Sequence, residues 1–296
     1  MGFERQLHII PAHWREWLLE NIRRCCTDES LLDAMTKAGI APVQARAWLA
    51  AAKVEASAAQ QGEAIESVLL NSPSYDYEGG YLAQGNTFMV AGRDIHVSMR
   101  MQEPDIAVLD DFLSVEECEG LIALAQGKLD PSTTVDPNTG DTMSIPERSS
   151  EGAFFKLGET AMVASIEQRI AHLLQWPLEN GEGLQVLHYR QGGEYRPHFD
   201  YFSPEHVGSA KHLDQGGQRI ATVIMYLNQV QEGGATIFPS INLSLSPKRG
   251  TAIYFSYCNS QGQVDPQTLH GGAPVLAGDK WIVTKWLRQK RYTAAG

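Results

Sequence analysis

The stretch Tyr195-Arg196-Pro197-His198-Phe199-Asp200 decides how the rest of this chain is read. In a β-strand, residues i and i+2 point to the same face. His198 and Asp200 can then aim an imidazole nitrogen and a carboxylate oxygen at one point. Such a pair suits a borderline-hard divalent ion. A second His from a neighbouring strand would complete two His and one carboxylate on one face of an octahedron, leaving other positions open. Alone, a His-x-Asp pair is a weak signal, because it recurs by chance in many proteins.

Toward the C-terminus lies Leu269-His270-Gly271-Gly272-Ala273-Pro274-Val275-Leu276-Ala277-Gly278-Asp279-Lys280-Trp281. His270 is far along the chain and can meet His198 and Asp200 only through the fold. Lys280 follows His270 by ten residues, and a turn near Ala277-Gly278 can return it beside the same point. Its ammonium could there pair with a carboxylate of a metal-bound ligand. Taken singly, a hydrogen-bonded turn histidine and an exposed strand-edge lysine are the plainer readings of these two residues.

Around these motifs the sequence reads as short strands with Gly-rich turns, over 184–190, 195–201, 219–228, 235–238, 251–257 and 281–287. That texture predicts a sandwich or jelly roll, an α+β fold with a double-stranded β-helix core, and disfavours a parallel α/β sheet. Upstream, Ile106-Ala107-Val108-Leu109 reads as a strand and Ser114-Val115-Glu116-Glu117 as a capping box opening a helix. A further helix fits Ala161 to Leu174. Residues 1–70 read as a helical region. Trp14, Trp17, Leu18, Ile22 and Cys25 form one apolar stripe behind Pro11. Thr27 or Asp28 can cap a second helix that Gly39 ends, and Pro42 opens a third through Ala47, Trp48 and Ala51. Residues 71–95, with Tyr75-Asp76-Tyr77-Glu78-Gly79-Gly80-Tyr81, read as a linker or extended loop whose tyrosines could also pack over an active site. The main domain is expected over 96–296.

Composition narrows the classes of function. The chain has 296 residues, 43% of them hydrophobic and 20% charged, which is ordinary for a soluble globular protein. A formal net charge of −11 argues against a nucleic-acid or membrane-surface binder, since phosphate contact needs a basic face. No stretch reaches the roughly 20 apolar residues that span a bilayer. The N-terminal sequence lacks the pattern of a signal peptide, so a cytoplasmic location is expected. Cys25, Cys26, Cys118 and Cys258 show no disulfide framework or zinc spacing.

From about residue 104 to 288 the chain resembles the prolyl 4-hydroxylase branch of the 2-oxoglutarate/Fe(II) oxygenases. The resemblance lies in order and spacing, not in one motif. Phe112-Leu113-Ser114 to Glu117-Cys118 is similar to that family's first helix. Thr139-Gly140, with Arg148-Ser149-Ser150 downstream, looks like its substrate-covering loop. Gln185-Val186-Leu187-His188-Tyr189 and Gly193 lead into the His-x-Asp pair. Gln218-Arg219-Ile220-Ala221-Thr222, Tyr226-Leu227 and Glu232-Gly233-Gly234-Ala235-Thr236 follow, then His270, Lys280-Trp281 and Lys285-Trp286-Leu287.

Carried over residue by residue, the resemblance implies that His198, Asp200 and His270 bind Fe(II). It implies that Lys280 pairs with the distal carboxylate of 2-oxoglutarate, with hydroxyls from Tyr189 and Thr236. It places Tyr195, Arg219 and Trp286 beside the metal on the substrate side. The implied cofactors are Fe(II), 2-oxoglutarate and O2, with ascorbate a candidate addition. The implied reaction hydroxylates a prolyl residue in a peptide or protein and releases succinate and CO2. Family members often carry His where this chain has Arg288. That guanidinium keeps a second substrate class open, a free amino acid or small acidic metabolite. A binding module that lost turnover fits poorly with an intact His198, Asp200, His270 and Lys280. A nucleic-acid repair oxygenase fits poorly with the acidic charge and with Lys280 in place of that group's Arg.

Overall fold

The computed structural model describes residues 10–24, 26–42, 44–46, 48–49, 52–53, 56, 75–136, 138–143, 148–203 and 205–293. Cys25, Ala47, Ala51 and positions 71–74 of the expected linker lie outside the described residues. Two compact units separate, Met1–Asn71 and Ser72–Gly296. Among the described residues no helix is long and apolar enough to cross a membrane.

In the first unit, α1 (Ala12–Arg23) and α2 (Asp28–Lys37) follow the expected stripe and cap. The Thr27 hydroxyl accepts from the Ser30 amide, and Gly39, at φ +90°, leaves the helix in a conformation that other residues resist. Leu18, Leu31, Met35, Ala45, Trp48, Leu49 and Ala52 form a core of their own.

The second unit opens with β1 (Thr87–Val90) and β2 (Arg93–Gln102), so the segment expected as a linker is in part strand. β3 (Asp105–Asp110) leads to α3 (Val115–Gln126). Next come β4 (Asp130–Pro131), β5 (Thr134–Val135), β6 (Thr142–Met143), β7 (Glu151–Phe155) and α4 (Ala161–Leu173). Then follow β8 (Leu184–Tyr189), β9 (Tyr195–His198), α5 (Ser209–Leu213), β10 (Arg219–Tyr226), β11 (Glu232–Gly233) and β12 (Thr236–Phe238). β13 (Leu243–Leu245), β14 (Ala252–Ser256), β15 (His270–Gly272), β16 (Val275–Ala277) and β17 (Lys280–Arg288) complete it. The capping box forms: the Ser114 hydroxyl accepts from the Glu117 amide at 3.1 Å, and the Glu117 carboxylate accepts from the Ser114 amide at 2.8 Å.

A nine-stranded sheet runs β1-β2-β3-β14-β10-β17-β8-β7-β4, and a four-stranded sheet runs β13-β12-β15-β9, all paired antiparallel. This is the expected jelly roll. Its central strands are buried along their length because both faces are covered. Val186, Val223, Tyr254 and Val283 face one way, into a core shared with Leu121, Ile166 and Ile170 of α3 and α4. Their neighbours Leu187, Ile224, Ile253 and Ile282 face the other way, into a core shared with Phe238 and Tyr257. Each such aliphatic side chain contributes about 1.5–3 kcal/mol by leaving water.

Candidate active site

Between the sheets lies a cavity of about 700 Å³. Strand alternation on β17 supplies one wall: Lys280, Ile282, Thr284, Trp286 and Arg288 all line it. The wall thus runs from Lys280 at one end to Trp286 and Arg288 at the other. Gln185, Leu187 and Tyr189 of β8 line it by the same alternation, with Tyr189 opposite Lys280 in register.

His198 and His270 are register partners on β9 and β15. The expected strand 195–201 ends at His198, and Asp200 lies just past it in a bend. The three side chains still converge, with one donor atom from each lying within 4.8 Å of the others. His270 Nε2 is 3.5 Å from Asp200 Oδ2, and His198 Nε2 is 3.8 Å from Asp200 Oδ1. Each imidazole has its other nitrogen against a backbone carbonyl: His198 Nδ1 is 2.9 Å from Arg196 O, and His270 Nδ1 is 3.0 Å from Thr268 O. A proton on each Nδ1 satisfies those carbonyls and leaves both Nε2 lone pairs for a metal. Burial and the facing His270 push His198 down to about 3, so its ring stays neutral. Burial raises the Asp200 carboxyl, but His270, His198, Arg219 and the Thr222 hydroxyl together hold it below its ordinary value. Thr222 Oγ1 donates to Asp200 Oδ2 at 2.7 Å. Two imidazole Nε2 atoms and one carboxylate, gathered on one point, fit a divalent ion.

Lys280 is 2% exposed, and no carboxylate of the described residues offsets its burial. Burial alone lowers its pKa to about 8. Its ammonium lies 5.4 Å from the Tyr189 ring centroid and 5.8 Å from that of Tyr226, so ring faces give partial compensation. A Cβ on Gly272 would sit 3.7 Å from Lys280 Nζ, which shows how closely the backbone approaches it. The Thr236 hydroxyl accepts from Tyr226 Oη at 2.7 Å and keeps its own proton to donate. A buried unpaired ammonium with nearby hydroxyls fits the distal carboxylate of 2-oxoglutarate.

At the other end, Glu182 chelates Arg219: Nε donates to Oε1 at 2.6 Å and Nη2 to Oε2 at 2.9 Å. The guanidinium stacks on Trp286 at 4.0 Å, and its Nη1 reaches Asp200 O at 3.3 Å. Tyr195 stacks on His198 at 3.6 Å between centroids, and the Arg148 guanidinium lies 4.7 Å from the Tyr195 centroid. Arg288 is 1% exposed. Its Nε lies 3.3 Å from Glu182 Oε1 and its Nη2 donates to His212 O at 2.6 Å. Glu182 therefore offsets part of the charge that kept an acidic substrate open.

The sequence-predicted residues thus line one cavity, which also holds His206 and His212, the latter against Gly140 O at 2.8 Å. Sequence reasoning missed Glu182, Thr222 as the Asp200 partner, and Tyr226 as the Thr236 partner. The signal for Thr222 was hidden by a bulge: β10 shifts register against β17 between Arg219 and Ala221. The bulge lets Arg219 and Thr222, three apart, both face inward.

Residues 184–288 match the model of the 2OG-Fe(II) oxygenase superfamily. Probable prolyl 4-hydroxylase 10 of Arabidopsis thaliana is 42% identical over 209 residues, 64% of this chain and 71% of that protein. The chain belongs to the prolyl 4-hydroxylase family of 2OG-Fe(II) oxygenases. Prolyl 4-hydroxylase 5 of the same plant is 42% identical over 203 residues, 62% of this chain and 68% of its own length. A solved 2OG complex of viral collagen prolyl hydroxylase from Paramecium Bursaria Chlorella virus-1 aligns at 30% identity and a TM-score of 0.49, covering 62% of this chain and 95% of the viral one. This member of the family is a dioxygenase dependent on Fe(II), 2-oxoglutarate and O2.

Proposed function

We propose that this dioxygenase hydroxylates prolyl residues in a peptide or protein, releasing succinate and CO2. The observation that carries the reading is the convergence of His198, Asp200 and His270 on one point of a cavity whose far end holds unpaired Lys280. The relatives, which are prolyl 4-hydroxylases, support the substrate class. So does the reach of the cavity, bordered by the β5–β6 hairpin and Arg148, which offers room for an extended chain. A net charge of −11 leaves nucleic acid a poor substrate. Buried thiols at Cys118 and Cys258 support a cytoplasmic, reducing location as part of the same proposal.

In this reading His198, Asp200 and His270 hold the iron, and Lys280, Tyr189 and Thr236 hold 2-oxoglutarate. When bound, iron and 2-oxoglutarate supply the oxidative chemistry that activates O2 and inserts one of its oxygen atoms into a C–H bond. The chain's own residues bind and orient. Thr222 fixes one Asp200 oxygen, and the Arg196 and Thr268 carbonyls fix the imidazole tautomers. Lys280 sets the position of the co-substrate from its distal end. Glu182 holds Arg219 flat on Trp286, so a planar donor and an indole face flank the target residue together with Tyr195. No general acid or base is required of the protein for the C–H step.

Succinate formation from 2-oxoglutarate, measured with and without Pro-containing peptides, tests this reading. Peptide-stimulated turnover is expected. Stimulation by a free amino acid or small acid alone would transfer the function to that class.

A further inference from the structure

The tyrosine-rich segment Tyr75–Tyr81 has no part in the site described above, yet it is bound to the loop that presents His270. That loop runs from Tyr257, after β14, to Leu269, before β15. Asn259 Nδ2 donates to Asp76 O at 3.0 Å, and the Asp76 amide donates to Gln263 Oε1 at 3.0 Å. The Ser260 amide and hydroxyl donate to the two oxygens of Glu78 at 3.0 and 2.6 Å. Tyr81 Oη donates to Cys258 O at 3.3 Å. These contacts pin the first half of the loop.

The second half is held by Tyr77. Its hydroxyl oxygen accepts from Gln267 Nε2 at 2.6 Å, across 190 residues of sequence. The Gln267 amide donates to Asp265 Oδ1 at 2.9 Å, and the Thr268 hydroxyl donates to Asp265 O at 2.7 Å. Asp265 is 1% exposed and Thr268 is equally buried. The Tyr77 ring is itself held edge-on by Tyr75, centroids 4.9 Å apart. The turn so fixed carries the Thr268 carbonyl that receives His270 Nδ1–H at 3.0 Å.

We propose that the segment 75–81 is a positioning strap for the metal centre: Tyr77, acting through Gln267 and the 265–268 turn, fixes the Thr268 carbonyl and with it the tautomer and aim of His270. The proposal rests on the reading of His270 as an iron ligand. A group one step behind a metal-bound histidine typically changes metal affinity 10- to 100-fold on mutation. Tyr77 stands further back, so about a tenfold effect is expected.

The test uses the full chain and Co(II) as the probe, without 2-oxoglutarate, reading the dissociation constant and the Co(II) absorption spectrum. Tyr77→Phe removes one hydroxyl and keeps the ring stack, and Gln267→Ala removes the donor. Both should raise the Co(II) dissociation constant about tenfold and alter the band shape, while the melting temperature of metal-free Tyr77→Phe stays at the wild-type value. His270→Ala separates the two ideas. Wild-type Co(II) binding by His270→Ala would overturn the ligand reading itself. Loss of binding in His270→Ala, with wild-type constants and spectra in Tyr77→Phe and Gln267→Ala, would overturn the strap alone. A lower melting temperature in Tyr77→Phe with unchanged Co(II) affinity would also overturn it.

Discussion

Replacing Lys280 with Met should make the protein more stable and ruin its co-substrate site. The ammonium is 2% exposed, and burial brings its pKa from 10.5 to about 8. Keeping it charged in the folded chain at neutral pH therefore costs about 3 kcal/mol. The sign follows from proton counting: between about pH 8 and 10.5 the unfolded chain binds the proton and the folded one does not, so stability rises with pH across that window. Below pH 8 the whole cost is present. Met fills a similar volume without the charge, so Lys280→Met should gain up to about 3 kcal/mol at pH 7, or roughly 5–10 °C in melting temperature. In the proposed site the same variant loses the partner of the distal carboxylate. That loss should raise the 2-oxoglutarate dissociation constant at least about 100-fold. In the wild type, affinity should fall about tenfold per pH unit above about 8, as the ammonium loses its proton. Thermal melting of the metal-free protein and calorimetric titration of the Mn(II)-loaded protein with 2-oxoglutarate give both numbers. A Lys280→Met protein that melts lower than wild type, or binds 2-oxoglutarate within a few-fold of it, would show that Lys280 is neither a buried cost nor the carboxylate's partner.

Thr222→Val leaves a buried Asp200 oxygen without its 2.7 Å donor; Mn(II) affinity, read by calorimetry, should fall about tenfold or more. Gly140 has φ +71°, and a Cβ there would lie 2.5 Å from Gly208 O, so Gly140→Ala should part the β5–β6 hairpin from the α5 loop. Steady-state kinetics should then show a raised peptide KM while 2-oxoglutarate binding is unchanged. Glu167 and Lys285 pair at 2.7 Å with 1% and 2% exposure, so Glu167→Gln should cost about 3–5 kcal/mol in urea unfolding, and Glu167→Leu with Lys285→Met should restore most of it.

Parts of this site were legible in the sequence because strand periodicity carries them. The two-residue spacing of His198 and Asp200 predicts a shared face, and the side chains do converge even though β9 stops at His198. His270 and Lys280 were placed by family pattern, because no local rule says which histidine of a distant strand will pair with His198. Thr222 escaped because strict alternation would set it on the face opposite Arg219, and only the bulge after Arg219 turns both inward. Glu182 escaped because a lone carboxylate between glycines reads as a turn, and its function lies in two guanidiniums more than thirty residues away. In the sequence Arg288 only leaves an acidic substrate open, and the fold sets Glu182 and the His212 carbonyl beside it. The tyrosines at 75–81 could not be assigned, since their partners lie on a loop some 180 residues later.

Hydroxylation of a prolyl residue in a polypeptide leaves a product that can be weighed. The direct measurement is mass spectrometry of a Pro-containing peptide incubated with enzyme, Fe(II), 2-oxoglutarate and isotopically heavy O2, with succinate assayed in parallel. One heavy oxygen atom is expected on a prolyl ring for each succinate formed, and none with His198→Ala. Succinate formed with every peptide unmodified, while a free amino acid gains the oxygen, would contradict prolyl hydroxylation.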